Sequence, residues 1–398
     1  MKEGDIFSNI TVLALEQAIV VPYFTYKFVL EGAEVIRIEH PVIHDPNRLV
    51  GENILSEEKM NSYYLTINSG KKSVTLNLKE KKAQEIFYTM IKKLNIDIFV
   101  TNQLPKNYKK LGIDYDSIKK IKGDIIWIGV TGFGANSNEG AYDPILQARG
   151  ALMDLTGEPN GDPQVVGIPL PDMGSSEQIY GLAMKALFKR ATTGEGSKID
   201  FSMFRSTVSW HAINIPMVAT FKKNITRRGN THEFFAPVSV YKTTDGYIYL
   251  AVGNNRQWKS LVNLTPFKSL DIPEYELNEG RIRDVENLNK KINDITSKLS
   301  TATLIEMLRS ITVPVSKINK LNDLLSDDLL KGEFLKTKDK KTGFEIKLAP
   351  PAYSSNFIKE TEYLDFPPRL GEHNKDIYCN ILGLNEDNLE QLKQDGII

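Results

Sequence analysis

Residues 11–41 read TVLALEQAIVVPYFTYKFVLEGAEVIRIEHP, and this stretch decides the fold class. Residues 10–15 form an apolar run of strand length. Residues 23–30, following Pro22, read as a helix that Gly32 punctuates, and residues 34–38 read as a second strand. A strand, a helix and a strand in so short a span sit near the minimum for a parallel crossover. Further along, Ala83, Phe87, Met90, Ile91 and Leu94 fall at helical spacing and lead into an apolar run at 96–100; another follows at 125–130. Alternating helices and strands over the first 130 residues predict an α/β sheet buried on both faces.

The pattern changes from Gly174. Ile179, Leu182, Ala183, Ala186 and Leu187 make the apolar stripe of one long helix, with Lys185, Lys189 and Arg190 near its C-terminal end and Gly194 and Gly196 after it. A short strand is expected at 198–201 and a polar linker around 222–230. Residues 238–241 and 247–252, joined through Asp245-Gly246, read as a hairpin opening a smaller second unit. The lysine- and asparagine-rich stretch 278–300 reads as helical. Pro350-Pro351 and Pro367-Pro368 mark an extended segment before two terminal helices.

Composition narrows the function classes. The 398 residues are 41% hydrophobic and 25% charged, and fifty basic side chains balance fifty acidic ones. A nucleic-acid binder carries a basic excess to neutralise phosphates, so a net charge of zero argues against one. A single cysteine, Cys379, forms no intrachain disulfide and no thiolate cage, and five scattered histidines give no metal-ligand spacing. No metal is expected. The N-terminal apolar stretch is broken by Glu16 and Gln17, unlike a signal peptide, and no run reaches the length of a membrane span. The expectation is a cytoplasmic protein without a membrane partner.

Several polar residues are candidates for chemistry. GVTGFG at 129–134 follows a strand but fits neither the dinucleotide fingerprint nor the P-loop; it is a plain loop or one lining a ligand cleft. Asp172 lies in PLPDMGSS, read as a loop between proline and glycine just before a helix starting near Ser175 or Ser176. It either supports that helix N-terminus or is a carboxylate kept ionised by the helix dipole and able to attack an activated acyl group. Asp143, in AYDPILQ, is a second carboxylate or a helix cap. Gln17, at the end of the first strand, is a further catalytic candidate or simply a polar residue terminating that strand. His40, His44, His211 and His232 read as surface or hydrogen-bonded residues, and Cys379 as a packed small hydrophobe.

Taken in order, LALEQAIVVPYFTYKFVLEGAEVIRIEHP, NSGKKSVTLNLK, LGIDYD with GVTGFG, YDPILQARGALMDLTGEPNG followed by Asp172 and ALFKRATTGEGSKIDFSMF, YKTTDGYIYLAVGNNRQW and PPRLGEHNKDIYCNILGL resemble one family. It is the class III CoA-transferases, the formyl-CoA and carnitine CoA-transferase (CaiB/BaiF) group. The resemblance implies a Rossmann-like large α/β domain made from both chain ends (1–222 and 346–398), with a small domain and linkers inserted at 223–345. It also implies an interlocked, ring-like homodimer. Coenzyme A and acyl-CoA enter as substrates, beside a small carboxylic acid, with no permanently bound cofactor.

The resemblance places Asp172 as the nucleophile that forms a mixed anhydride and then an aspartyl-CoA thioester, with Asp143 spaced from it as in the transferases' carboxylate pair. It places Arg37, Asn102 and Tyr142 among the CoA-contacting positions. TNQLPKNYKK lacks the aromatic–arginine pair common after this asparagine, leaving Lys106, Lys109 and Lys110 as the basic residues at hand. Gly253, Asn254 and Asn255 occupy a small-domain loop where some relatives carry a glycine run. The α-methylacyl-CoA racemases share the fold but need a histidine where this chain has Tyr142, whose ordinary pKa near 10 suits that role poorly. A transferase is therefore expected over a racemase or a CoA-binding protein without turnover. The LALEQA opening, with Gln17, resembles relatives acting on small dicarboxylates such as succinate, mesaconate, itaconate or citramalate, whose second carboxylate Arg48, Arg149 or Gln17 is placed to meet.

Overall fold

The computed structural model describes residues 6–353 and 363–398. Six strands form a wholly parallel sheet: β1 (Thr11–Leu15), β2 (Glu34–Glu39), β3 (Lys72–Thr75), β4 (Ile98–Thr101), β5 (Ile126–Thr131) and β6 (Ser197–Ser202), in the order β3-β2-β1-β4-β5-β6. The order reverses between β1 and β4. In such sheets the carboxyl ends of the two strands at the reversal diverge and leave a crevice, where ligands bind.

Alternation along the strands builds a core on each face. Leu13, Phe99 and Trp127 point to one side, where the helix Lys81–Lys93 contributes Phe87 and Met90. Val12, Ala14, Ile98, Val100, Ile126 and Ile128 point to the other, against the helix Val20–Leu30 and the long helix Leu170–Thr193. Ile377, Tyr378, Leu389, Leu392 and Ile398, near the C-terminus, pack into the first of these cores. The Tyr378 hydroxyl donates to the Thr75 carbonyl at 2.7 Å, and the Tyr64 hydroxyl to that of Pro368 at 2.8 Å. A short antiparallel pair, Leu335–Lys338 with Glu345–Leu348, belongs to the same unit.

The chain divides into two compact units. The first comprises residues 1–150, 166–223 and 332–398; the second comprises 151–165 and 224–331. The second unit holds an antiparallel three-stranded sheet of Val238–Lys242, Tyr247–Ala251 and Val315–Lys317. Its own core gathers Tyr241, Ile248, Leu250, Trp258, Leu288 and Leu304. The stretch read as helical at 278–300 holds two helices, Asn278–Arg283 and Val285–Thr296.

Two helices begin earlier than the sequence reading has them. The first spans Val20–Leu30 and the long one Leu170–Thr193, with Pro22 and Pro171 inside their first turns. Proline is tolerated there because the N–H it lacks has no intrahelical partner. Asp172 thus stands in the first turn of a helix, not on a loop before one.

Candidate active site

The first unit carries a cavity of about 320 Å³ at the carboxyl ends of β1, β4 and β5. Gln17 and Ala18 line it after β1, Asn102, Gln103 and Leu104 after β4, and Thr131 and Gly132 from β5 and its loop; Tyr142 and Asp172 complete the wall. Its volume falls at the lower end of the range for small-molecule sites, about 300–1,000 Å³. The cavity occupies the reversal point of the strand order. Gly132 is required there, since a Cβ would come within 2.5 Å of the Ala141 Cβ. Of the two readings of the GVTGFG loop, its start is the cleft-lining one.

Asp172 and Asp143 form a carboxylate pair. Asp143 is the first residue of the helix Asp143–Arg149, and Tyr142 is the N-cap. Asp143 does not cap its own helix: Oδ2 accepts the Asp172 backbone N–H at 3.1 Å and Oδ1 accepts from the Gln147 side-chain amide at 2.6 Å. Burial, and secondarily the Asp143 charge, push the Asp172 carboxyl up to about 7. Asp143 is raised too, by burial, although its two donors oppose the rise. The helix dipole favours a carboxylate at this position, but desolvation and a like charge outweigh it. The dipole therefore acts on Asp172 against burial and the Asp143 charge rather than alone. A carboxylate this poorly solvated is a reactive nucleophile once it loses its proton.

Tyr63 is a neighbour the sequence reading missed. Its hydroxyl is pushed up by burial and by the charges of Asp172 and Asp143, which marks it as electrostatically coupled to the pair. No local motif marks it.

The remaining candidates scatter. Asn102 turns its side-chain amide on Gln17: Oδ1 accepts the Gln17 N–H at 3.2 Å and Nδ2 donates to the Gln17 carbonyl at 2.8 Å. Lys106 is exposed in the first turn of the helix Pro105–Leu111, between Leu104 and Asn107 of the cavity wall, and its N–H donates to Asn138. Arg37 is wholly buried. Its guanidinium pairs with Asp45 at 2.9 Å and Glu39 at 3.2 Å and donates to Asn68 at 2.6 Å, so it presents no face to a ligand phosphate. Arg48 is likewise enclosed, bound to Glu39, the Tyr64 hydroxyl and the Pro368 carbonyl, which removes it as a contact for a second substrate carboxylate. Arg149 remains half exposed, stacked over the Phe133 ring and paired with Glu139, itself a residue of the cavity wall.

Gly253 and Asn254 lie in the second unit. There the Asn254 side chain caps the helix Asn255–Val262 by accepting the Gln257 N–H at 2.9 Å, and the Gln257 side chain in turn accepts the Gly253 N–H. Among the described residues no cluster of three or more His, Cys, Asp or Glu side chains is arranged to hold a metal.

A family model described as CoA-transferase family III matches residues 7–374. The chain belongs to CoA-transferase family III. Among curated relatives, the succinyl-CoA:glutarate CoA-transferase of Mus musculus is 29% identical, over 98% of this chain and 89% of that protein. The succinyl-CoA:mesaconate CoA-transferase of Haloarcula hispanica is 26% identical, over 93% and 94%. Among solved structures, a CaiB/BaiF family protein from Brucella suis superposes with a TM-score of 0.79 at 26% identity, covering 94% of this chain and 98% of that one. The chain is thus a CoA-transferase of this family, with the family's α/β fold and with CoA thioesters as its substrates.

Proposed function

We propose that the protein moves CoA between carboxylic acids through covalent intermediates on Asp172. The observation that carries the reading is the Asp172 carboxyl on the wall of a crevice at the strand reversal, its backbone N–H held by a second carboxylate and its own carboxyl pushed up to about 7. An Asp172 oxygen attacks the thioester carbonyl carbon, the C–S bond breaks, and CoA leaves as thiolate from a mixed anhydride. The thiolate attacks the aspartyl carbonyl carbon, the anhydride C–O bond breaks, and the donor acid departs as carboxylate. An acceptor carboxylate then attacks the aspartyl-CoA thioester, expelling thiolate and forming the second anhydride. Attack of that thiolate on the acceptor's acyl carbon yields the new acyl-CoA and restores Asp172. One thioester is exchanged for another, so no further energy source is needed, while the anhydrides require shielding from water.

Small dicarboxylates are the proposed acids. Relatives named for glutarate and mesaconate support this reading, as does Arg149, a half-exposed guanidinium paired with a cavity-wall glutamate. We place Asn102, Tyr142 and Lys106 along the CoA-binding side. The two units are proposed to be a large domain of both chain ends and an inserted small domain. A homodimer is proposed as well, supported by the exposed Phe188, Ile213 and Phe221 on the first unit; sedimentation that returns a monomer would contradict it.

The test is transfer from succinyl-CoA to a panel of mono- and dicarboxylic acids, run beside α-hydrogen exchange in heavy water. Transfer to a dicarboxylate, lost in Asp172→Ala, is the expected result. Acceptor-independent exchange without transfer would point to the racemase chemistry instead.

A further inference from the structure

The part of the cavity rim that follows β1 is built from an unusual backbone. Ala18 has φ 61°, a left-handed conformation that a Cβ disfavours and that persists where surroundings over-determine it. The over-determination comes from two residues around the helical turn Pro46–Leu49. The Ala18 N–H donates to Asp45 Oδ1 at 3.1 Å, and the Ala18 carbonyl accepts from the Asn47 side-chain amide at 2.8 Å. Asp45 Oδ1 also accepts the Asn47 N–H at 3.0 Å, which makes the pair one clamp. Behind it, Arg37 Nη2 donates to Asp45 Oδ2 at 2.9 Å inside a network where Arg37, Arg48 and Lys71 face Glu16, Glu39 and Asp45, all buried. Asp45 and Asn47 are 2% and 6% exposed and do not line the cavity; Gln17 and Ala18 do.

We propose that Asp45 and Asn47 are positioning residues of the transfer site: by fixing Ala18 in its left-handed conformation they set the Gln17–Ala18 rim beside Asp172. The buried arginine, Arg37, serves the site at one remove by orienting Asp45. Without the clamp, Ala18 relaxes toward negative φ and carries the Gln17 peptide with it, so the rim no longer matches the thioester end of the substrate. This inference rests on the reading of the Asp172 cavity as the transfer site.

The test is a cycle of Asn47→Ala and Ala18→Gly, singly and combined, with Asn47→Ser in reserve should the alanine variant fail to accumulate. Three quantities are read: kcat and KM for the CoA thioester, hydrogen exchange of the peptide carrying Gln17 and Ala18, and Tm. Asn47→Ala is expected to raise KM at least fivefold with a smaller change in kcat, and to speed exchange of that peptide at least tenfold. In the chain already carrying Ala18→Gly, the same change should raise KM less than twofold, because glycine keeps a positive φ unaided. Wild-type KM and exchange in Asn47→Ala would overturn the proposal, and so would a KM effect undiminished by Ala18→Gly. A Tm drop alone, with kinetics unchanged well below it, would mark the pair as merely structural. Absence of transfer by the wild-type chain refutes the functional reading separately; the exchange comparison, which needs no turnover, then decides the clamp.

Discussion

In the proposed mechanism Asp172 balances two demands: it must be ionised to attack, yet its surroundings penalise ionisation. With the carboxyl near 7, the ionised fraction at pH 5 is about one in a hundred. Single-turnover loading by acyl-CoA should therefore fall about a hundredfold from its plateau above pH 8. Asp143→Asn removes the like charge, so the midpoint of that profile should move to lower pH; a shift upward would contradict the role given to the pair. The stability consequence has a definite sign. An acid whose folded value lies above its unfolded value favours the unfolded chain wherever the two states differ in ionisation. The penalty is fully present above about 7 and absent below about 4, the ordinary value being 3.8. Asp172→Asn should accordingly raise Tm at pH 8, by at least about 2 °C, and give no gain near pH 4. Melting curves at the two pH values read this directly.

At the scale of elements, Gly174 shows how closely the long helix is packed. A Cβ there would stand 2.4 Å from Trp210 Cζ2, so Gly174→Ala should destabilise by about 1–3 kcal/mol although alanine is the better helix former. Urea unfolding followed by tryptophan fluorescence would show it. Such contacts separate what the sequence reveals from what it conceals. The strands β1, β4 and β5 were legible because each is an apolar run of strand length, β2 because Val35, Ile36 and Ile38 follow the glycine-punctuated helix, and the helices between them because apolar positions recur at helical spacing. The strand order is a property of pairing and has no local signature. The start of the long helix was misplaced because Pro171 and Gly174 look like breakers. In fact a proline fits the first turn and the glycine makes room for Trp210. The dipole acting on Asp172 was readable, whereas its burial, Asp143 within reach and Tyr63 beside it are made only by folding. Arg37 was legible as a charge; Glu39 lies two residues along the same strand, whereas Asp45 becomes its partner only through the turn after β2.

For the molecule as a whole, the C-terminal residues complete a core begun at the N-terminus. Removing 376–398 deletes Ile377, Tyr378, Leu389, Leu392 and Ile398 from the core that contains Leu13 and Phe99. Each buried side chain contributes about 1.5–3 kcal/mol, so the loss rivals a typical net stability of about 5–15 kcal/mol. The truncated chain should fail to give soluble, cooperatively melting protein, and a well-folded one would contradict this account of the core. The proposed transfer turns on one chemical event, a covalent bond to Asp172. Its direct measurement is the mass of the whole protein after incubation with succinyl-CoA, followed by hydroxylamine trapping and peptide mapping. The prediction is an adduct on the peptide carrying Asp172 that hydroxylamine converts to a hydroxamate and that Asp172→Ala abolishes. Transfer of CoA to an acceptor acid with no adduct, or at an undiminished rate in Asp172→Ala, would contradict it.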